Sequence, residues 1–176
     1  ALLVQQAKKE ADYITCETAP HYLLLNEEVL NEPEGHRWLC SPPLRSESSR
    51  GLLLELLQDG VFDIIASDHC AFSSETKDVG ILYPAKTPMG IAGSGVLFTL
   101  LAEHLVEKGK LSMEQLFNFI SFNPAKLMGF SVQNDKLSYE RLGAPIPVIP
   151  SWANTPNPWI DFWSYYELRR HHNDVY

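Results

Sequence analysis

An aspartate and a histidine, Asp68 and His69, stand directly after a short apolar stretch and before a long polar segment. The apolar stretch, residues 62–65, is typical of a buried strand, and parallel α/β folds carry their chemistry at the carboxyl ends of such strands. A carboxylate in that place can bind a metal ion or transfer a proton. Two structural alternatives stay open. Asp68 can cap the loop by accepting hydrogen bonds from backbone amides, and His69 can be a packed, hydrogen-bonded side chain.

Glu17 and His21 form a second pair of candidate residues, at the end of another predicted strand. Residues 13–16 are rich in β-branched and aromatic side chains, and the chain turns at Pro20. We therefore expect Glu17, His21 and Asp68 to converge on one face, where the carboxyl ends of parallel strands meet. The alternative is an edge glutamate and a loop histidine with no joint role.

Two segments rich in proline or glycine could line the same site. In residues 41–45 neither proline after Ser41 has an N–H group, so the loop is rigid and its backbone groups are free to meet an amide substrate. Residues 87–93 could form a lid with glycine hinges. The simpler alternatives are a stiffened connection and an entry into the next helix.

Helices and strands that could carry these residues alternate along the first half of the chain. A short amphipathic helix is predicted at residues 1–10, and Ser46 is placed to cap a helix that Asp59-Gly60 ends. Strand, helix and strand in this order make a βαβ unit, which predicts that strands 13–16 and 62–65 are parallel.

The second half of the chain begins with a polar segment, residues 71–93, that is long for a connection and is predicted to be a functional loop. A helix is predicted over 95–107, and Ser112 with Gln115 three residues later is typical of a capping box. Asn123-Pro124 predicts an N-cap and first-turn proline. In the tail, residues 167–172 could be a short helix or a frayed end.

Composition restricts the class of protein. The chain has 176 residues, 45% of them hydrophobic and 20% charged, which is typical of a globular domain. A net charge of −8 opposes nucleic-acid binding, and no apolar run approaches the length of a membrane helix. Three scattered cysteines without a C-x-x-C pair argue against a structural zinc site and fit a reducing compartment, which predicts a cytoplasmic protein. The chain opens within an apparent helix and without methionine, which suggests a fragment.

Several motifs, taken in order, resemble the cyclic amidohydrolases, the group of dihydropyrimidinases, hydantoinases, allantoinases and dihydroorotases. The motifs are Thr15-Cys16-Glu17-Thr18-Ala19-Pro20-His21-Tyr22-Leu23, Cys40-Ser41-Pro42-Pro43-Leu44-Arg45, Ala66-Ser67-Asp68-His69-Cys70-Ala71-Phe72, Lys77, Pro88-x-Gly90-x-x-Gly93 and Ser121-Phe122-Asn123-Pro124-Ala125-Lys126. The resemblance covers residues 1–130. Residues 131–176, a tail rich in proline and tryptophan, do not align and stay unassigned.

The resemblance implies an α/β fold, the C-terminal fragment of a TIM-type (β/α)₈ barrel with an irregular tail. It implies a binuclear zinc centre whose other ligands, an H-x-H pair, a carboxylated lysine and two histidines, precede Ala1. A whole barrel needs about 250 residues, so the chain would be its last quarter to third.

The resemblance also implies roles for single residues. Asp68 matches the aspartate that binds the metal and acts as base and acid, and Glu17 resembles a glutamate that lines the metal site in some members. His21 and Ser41 match substrate-contacting positions, and serine at position 41 favours the hydantoinase side. Met89 stands where hydantoinases have a substrate-contacting asparagine.

Phe72 stands where dihydroorotases carry a substrate-binding histidine, so this position departs from the dihydroorotase pattern.

The function that the resemblance implies is zinc-dependent hydrolysis of a cyclic amide by a metal-bridged hydroxide. The complete parent protein would be a homo-oligomer, and this chain by itself would be inactive. The alternative is a non-catalytic, dihydropyrimidinase-like interaction protein. Retention of Asp68 and His69 favours the enzyme.

Overall fold

The computed structural model describes residues 1–130 and the backbone of two further strands, 136–141 and 166–171. The helices are α1 (Leu2–Ala7), α2 (Pro20–Leu24), α3 (Glu47–Gln58), α4 (Ser74–Leu82), α5 (Leu97–Leu101), α6 (Met113–Phe117) and α7 (Asn123–Leu127). The strands are β1 (Glu17–Thr18), β2 (Ile64–Ile65), β3 (Lys136–Arg141) and β4 (Tyr166–His171). Short 3₁₀ segments occur at Glu27–Asn31, Gly35–Trp38 and Pro84–Lys86, and π-helical turns at Ala102–Val106 and Asn118–Phe122.

β1 and β2 pair in parallel, as the βαβ pattern predicts, with Glu17 opposite Ile64. The first strand is shorter than predicted and begins after residues 13–16 rather than within them. The reason is tertiary. Tyr13 is 84% exposed, and although the Cys16 carbonyl accepts from the amide of Asp63 at 2.8 Å, the paired residues of the ladder start at Glu17.

The core lies between α3, the two paired strands and the helices from α5 onward. Ser46 caps α3 as predicted, since its hydroxyl accepts a hydrogen bond from the amide of Ser49. The fully buried side chains of this core are mainly leucines: Leu23, Leu57, Ile65, Leu101, Leu105 and Leu116. Burial of these side chains drives the packing of the helices on β1 and β2.

The prediction of one long loop over residues 71–93 is wrong, because α4 occupies its middle. Ser73 caps α4 by accepting a hydrogen bond from the amide of Thr76. The residues of α4 show little apolar periodicity, so the sequence lacks the pattern that usually marks a helix. Polar contacts to a distant segment hold it instead: Asp78 contacts Nε2 of His36 at 2.9 Å and accepts from Nε of Arg37 at 3.1 Å.

This cluster predicts a dependence of stability on acid. Hydrogen bonds from His36 and then Arg37 lower the pKa of Asp78 below its ordinary value of 3.8. The folded chain therefore holds this carboxylate ionised where the unfolded chain protonates it, so the contribution is complete above that value and is lost as the pH falls through the lowered pKa. Between about pH 5 and about pH 2.5, Asp78→Asn should lose less free energy of unfolding than the wild type.

Urea denaturation at both pH values measures the difference. Asp12→Asn, a change at an exposed aspartate outside this cluster, is the matched control and should behave as the wild type does. Equal acid sensitivity of Asp78→Asn and the wild type would contradict the prediction.

Residues 97–127 form nearly continuous helical structure with one break. The helix predicted over 95–107 begins at Leu97 and ends in a π-helical turn, and Gly109 has a φ of +67° beyond its end. The capping box of Ser112 and Gln115 is present. The N-cap prediction for Asn123 is wrong because the π-helical turn runs directly into α7, and the Asn123 amide instead donates to the Asp63 carbonyl at 2.8 Å.

Part of the tail is regular, contrary to the expectation of an irregular segment. β3 and β4 are antiparallel, with Lys136 opposite His171 and Arg141 opposite Tyr166. The interpretation of residues 167–172 as a helix or frayed end is therefore wrong for 167–171. A strand whose partner is about thirty positions away leaves no local signal of its pairing. The remainder of the tail lies outside the described residues.

Within the part of the chain that the structure describes, no helix combines the length and the apolar character that crossing a membrane requires.

Candidate active site at the carboxyl ends of the paired strands

Asp68 lies just beyond β2 and projects a carboxylate that is 56% exposed. Its φ is +46°, the left-handed region that only glycine and, less often, asparagine and aspartate adopt readily. Such a conformation costs free energy and persists because the surrounding structure holds it. Asp68, the residue that the sequence indicates for metal binding or proton transfer, is therefore also the one with a strained backbone conformation.

His21, in the first turn of α2, lies beside this carboxylate. Its Nε2 is 3.5 Å from Oδ2 of Asp68 and has no hydrogen-bond partner among the described residues. The side chain is only 3% exposed, and this burial lowers the pKa of His21, against the opposing effect of the Asp68 charge. His21 is therefore a neutral imidazole near pH 7, held against an exposed carboxylate.

Tyr22 joins this pair to the loop that carries Ser41. Its hydroxyl donates to the carbonyl of Pro42 at 2.9 Å, and the ring lies 4.2 Å from that of His21. Burial, followed by the nearby Cys40 and the Asp68 charge, raises the pKa of Tyr22 to about 12, so the hydroxyl stays protonated as a donor. Ser41 itself is exposed, and its peptide bond to Pro42 is cis.

His69 is held by the backbone on the other side of Asp68. Its Nδ1 accepts hydrogen bonds from the amides of Gly93 at 3.1 Å and Ser94 at 3.0 Å, so the neutral ring carries its proton on Nε2. A parallel bridge pairs His69 with Ile91. His69 thus follows the structural alternative, a hydrogen-bonded side chain that joins the strand end to residues 90–94.

Two glycines allow residues 90–94 to approach the strand end so closely. A Cβ on Gly90 would lie 2.5 Å from the carbonyl oxygen of Cys70, and one on Gly93 would lie 2.5 Å from that of Ser67. Neither distance is compatible with a side chain unless the backbone moves. These glycines therefore allow close packing of the backbone beside Asp68. Their role as hinges of a lid stays a prediction.

Gly90→Ala should therefore destabilise the chain by about 1–3 kcal/mol, because the added methyl group meets the backbone carbonyl and the side chain of Cys70. The matched control is Gly51→Ala inside α3, where nothing lies within 4 Å of the added atom. That substitution should stabilise the chain by up to about 1 kcal/mol, since alanine favours helix over glycine. Urea denaturation of both variants measures the two opposite signs, and a neutral Gly90→Ala would contradict the account.

The structure brings some of the sequence-predicted residues together. Asp68 and His21 meet, as expected, and the Ser41 loop reaches them through Tyr22. The Met89 carbonyl lies 3.9 Å from Sγ of Cys70, and the Met89 side chain is 45% exposed. The substrate-binding roles of His21, Ser41 and Met89 stay predictions.

Glu17 is exposed at the level of Ile64, four positions before Asp68. Among the contacts of the described residues none joins Glu17 to Asp68. No group of three or more histidine, cysteine or acidic side chains in residues 1–130 is arranged to hold a metal ion. Metal binding by Glu17 and by Asp68 therefore stays a prediction.

Sequence reasoning missed the structural roles of Tyr22 and Lys77. Tyr22 follows His21 directly, and an aromatic residue with a hydroxyl group beside a candidate site histidine is the signal that could have indicated it. Lys77 is 5% exposed, and the polar sequence around it is not a signal of burial.

Comparison with curated proteins finds dihydroorotases. The chain is 37% identical over 145 residues to the dihydroorotase of Brevibacillus brevis, a match that covers 81% of the chain and 32% of that enzyme. It is 36% identical over 129 residues to the dihydroorotase of Staphylococcus epidermidis, covering 73% and 29%. The chain thus spans about a third of the length of the curated relatives it matches.

Solved structures give the same group. A dihydropyrimidinase from Brevibacillus agri matches with a TM-score of 0.69 at 28% identity, over 79% of this chain and 34% of its own. An L-hydantoinase from Arthrobacter aurescens matches with a TM-score of 0.71 at 28% identity, over 79% and 33%. A D-hydantoinase from Bacillus sp. AR9 matches with a TM-score of 0.75 at 25% identity, over 94% and 39%.

No protein-family model matches the chain. The sequence relatives and the structural neighbours nevertheless agree with each other and with the motifs around Asp68. The chain belongs to the cyclic amidohydrolase family, of whose curated members it spans about a third.

Proposed function

We propose that this chain forms part of an enzyme that hydrolyses a cyclic amide and that Asp68 is its proton-transfer residue. The observation that carries the proposal is the exposed Asp68 carboxylate at a strand end, 3.5 Å from a buried histidine. Relatives that are named dihydroorotase and structural neighbours that are named hydantoinase support the reaction class. The remaining two thirds of the catalytic barrel would come from sequence outside this chain.

The metal ions that the family resemblance implies fit this chain only in part. The Asp68 carboxylate is more than half exposed and is a donor that zinc accepts, so it can serve as one ligand. A zinc site needs three or four protein ligands, and residues 1–130 hold no such group. We propose that Asp68 completes a centre whose other ligands lie elsewhere in the whole enzyme. When bound, the metal would polarise the amide carbonyl.

The residues of this chain would act on protons and on substrate orientation. Asp68 takes a proton from the attacking water and passes it to the ring nitrogen when the carbon–nitrogen bond breaks, so that it ends the cycle ionised. His21 limits the positions open to that carboxylate. The Ser41 loop would offer a backbone amide and carbonyl to the ring amide of the substrate. Met89, in residues 87–93, would also contact the substrate.

Substrate choice depends on residues that differ within the family. Ser41 favours a hydantoin-like ring, and Phe72 stands in place of the histidine that the resemblance associates with dihydroorotases. In the structure the Phe72 ring faces the ammonium group of Lys77 at 5.9 Å. We therefore rank hydantoin-type rings first and dihydroorotate second, although the closer sequence identity is to dihydroorotases.

The test is an assay of the complete polypeptide that carries this chain, reconstituted with zinc. Loss of hydantoin, dihydrouracil, allantoin and dihydroorotate would be followed by chromatography, with metal content measured on the same sample. Hydrolysis of at least one ring supports the proposal. A protein that binds two metal ions and hydrolyses none of the four would favour the non-catalytic alternative. The homo-oligomer and the cytoplasmic location stay predictions.

A further inference from the structure

Lys77 is a buried cation that the proposed reaction does not use. It lies in α4, only 5% exposed, and its ammonium group donates a hydrogen bond of 2.8 Å to the backbone carbonyl of Leu39. The ring of Phe72 lies 5.9 Å from the same nitrogen. Burying an ammonium group costs free energy, and the hydrogen bond to Leu39 and the nearby Phe72 ring must compensate that cost in the folded structure.

The Leu39 carbonyl is a junction of three segments. Besides Lys77, the amide of Gly90 donates to this oxygen at 2.9 Å. One segment leads into Cys40 and Ser41, the second is α4, which follows Asp68, and the third is residues 90–94, which hold His69. The single carbonyl therefore links α4 to the two segments that lead to the candidate site, the Ser41 loop and residues 90–94.

The residue after Lys77 strengthens the same connection. Asp78 contacts His36 at 2.9 Å and accepts from Arg37 at 3.1 Å, so consecutive residues of α4 hold consecutive parts of residues 36–39. Lys77 is placed closest to the loop, since its acceptor immediately precedes Cys40.

We propose that Lys77 is a positioning residue, which holds the Leu39 carbonyl and thereby sets the Ser41 loop at a fixed distance from Asp68. The effect on the loop is a property of the chain itself. The consequence for substrate rests on the proposed function.

The first test measures the loop through the reactivity of Cys40, which is buried beside it. In the full chain Lys77→Met removes the ammonium group and keeps the apolar stem. The matched control is Lys86→Met, since Lys86 is exposed and its nitrogen lies 4.8 Å from the ring of Tyr83. Each cysteine is followed by mass spectrometry during reaction with a thiol reagent.

We expect Lys77→Met to raise the modification rate of Cys40 by about tenfold or more through local opening, with Cys16 and Cys70 changed less than about twofold. Lys86→Met should leave all three rates as in the wild type, and Lys77→Arg, which keeps a donor, should restore part of the protection. An unchanged Cys40 rate would overturn the proposal. A rise shared by all three cysteines would also overturn it, because that pattern indicates general destabilisation.

The second test uses the complete enzyme with a ring that it hydrolyses. If the loop positions the amide, Lys77→Met should raise KM by about tenfold or more and change kcat less, and Lys77→Arg should recover part of the loss. If KM and kcat are unchanged in Lys77→Met while the modification rate of Cys40 rises, the proposed role of Lys77 in positioning the loop for substrate is wrong. If the wild type hydrolyses no ring, the proposed function fails, while the cysteine test still decides whether Lys77 holds the loop.

Discussion

Asp68→Asn in the complete enzyme should lower the turnover of cyclic amide hydrolysis by about 10²–10⁴-fold, the range expected when a general base is lost. Asparagine keeps the shape of the side chain but cannot take the proton from water at neutral pH. Its weaker metal binding would add to the loss.

The choice of asparagine follows from the backbone. Asp68 has a φ of +46°, and asparagine tolerates the left-handed region about as well as aspartate, whereas alanine would add strain. The folded structure should therefore survive the substitution, which separates a chemical effect from a structural one.

The matched control is Asp59→Asn, at the exposed carboxyl end of α3. It removes the same charge nine positions before Asp68, ahead of the amino end of β2 rather than beyond its carboxyl end, and should retain wild-type turnover. Circular dichroism and metal content would be measured on both variants. Full activity of the Asp68 variant would show that this carboxylate does not transfer the proton.

Leu101→Ala should lower the free energy of unfolding by about 2–5 kcal/mol, the range for removing a large buried side chain. Leu101 has 0% exposure at the end of α5, within the core that packs on β2. The residues around it belong to several helices and to the strand, so the cavity cannot close by moving one of them.

Leu127→Ala is the control because Leu127, in α7, is 52% exposed. It should change the free energy of unfolding by less than about 0.5 kcal/mol. Urea denaturation followed by circular dichroism measures both. A loss below about 1 kcal/mol for Leu101→Ala would show that this core is not packed as described.

Local features could be predicted from the sequence because their contacts lie within one turn of chain. Ser46 and Ser112 accept hydrogen bonds from amides three residues later, as their residue types indicate. The parallel pairing of β1 and β2 follows from the strand–helix–strand order. The order of motifs around Asp68 also predicted the family that the comparisons show.

Tertiary structure decided where polar residues with several possible partners go. Asn123 has the residue type of an N-cap, yet its amide reaches the Asp63 carbonyl, sixty positions earlier. The helix α4 could not be predicted from the sequence, because contacts of Lys77 and Asp78 with residues 36–39 stabilise it rather than an apolar face with helical periodicity.

For the site, the sequence by itself determined the chemistry that is available: a carboxylate at a strand end, a histidine, and a proline-stiffened loop. Only the tertiary structure decided that His21 is buried against Asp68 while Glu17 makes no contact with it. It also gave Asp68 its left-handed backbone and Lys77 its buried position. The physical reason is that distance and burial depend on contacts between segments far apart in the chain, whereas residue type and spacing report only local preferences.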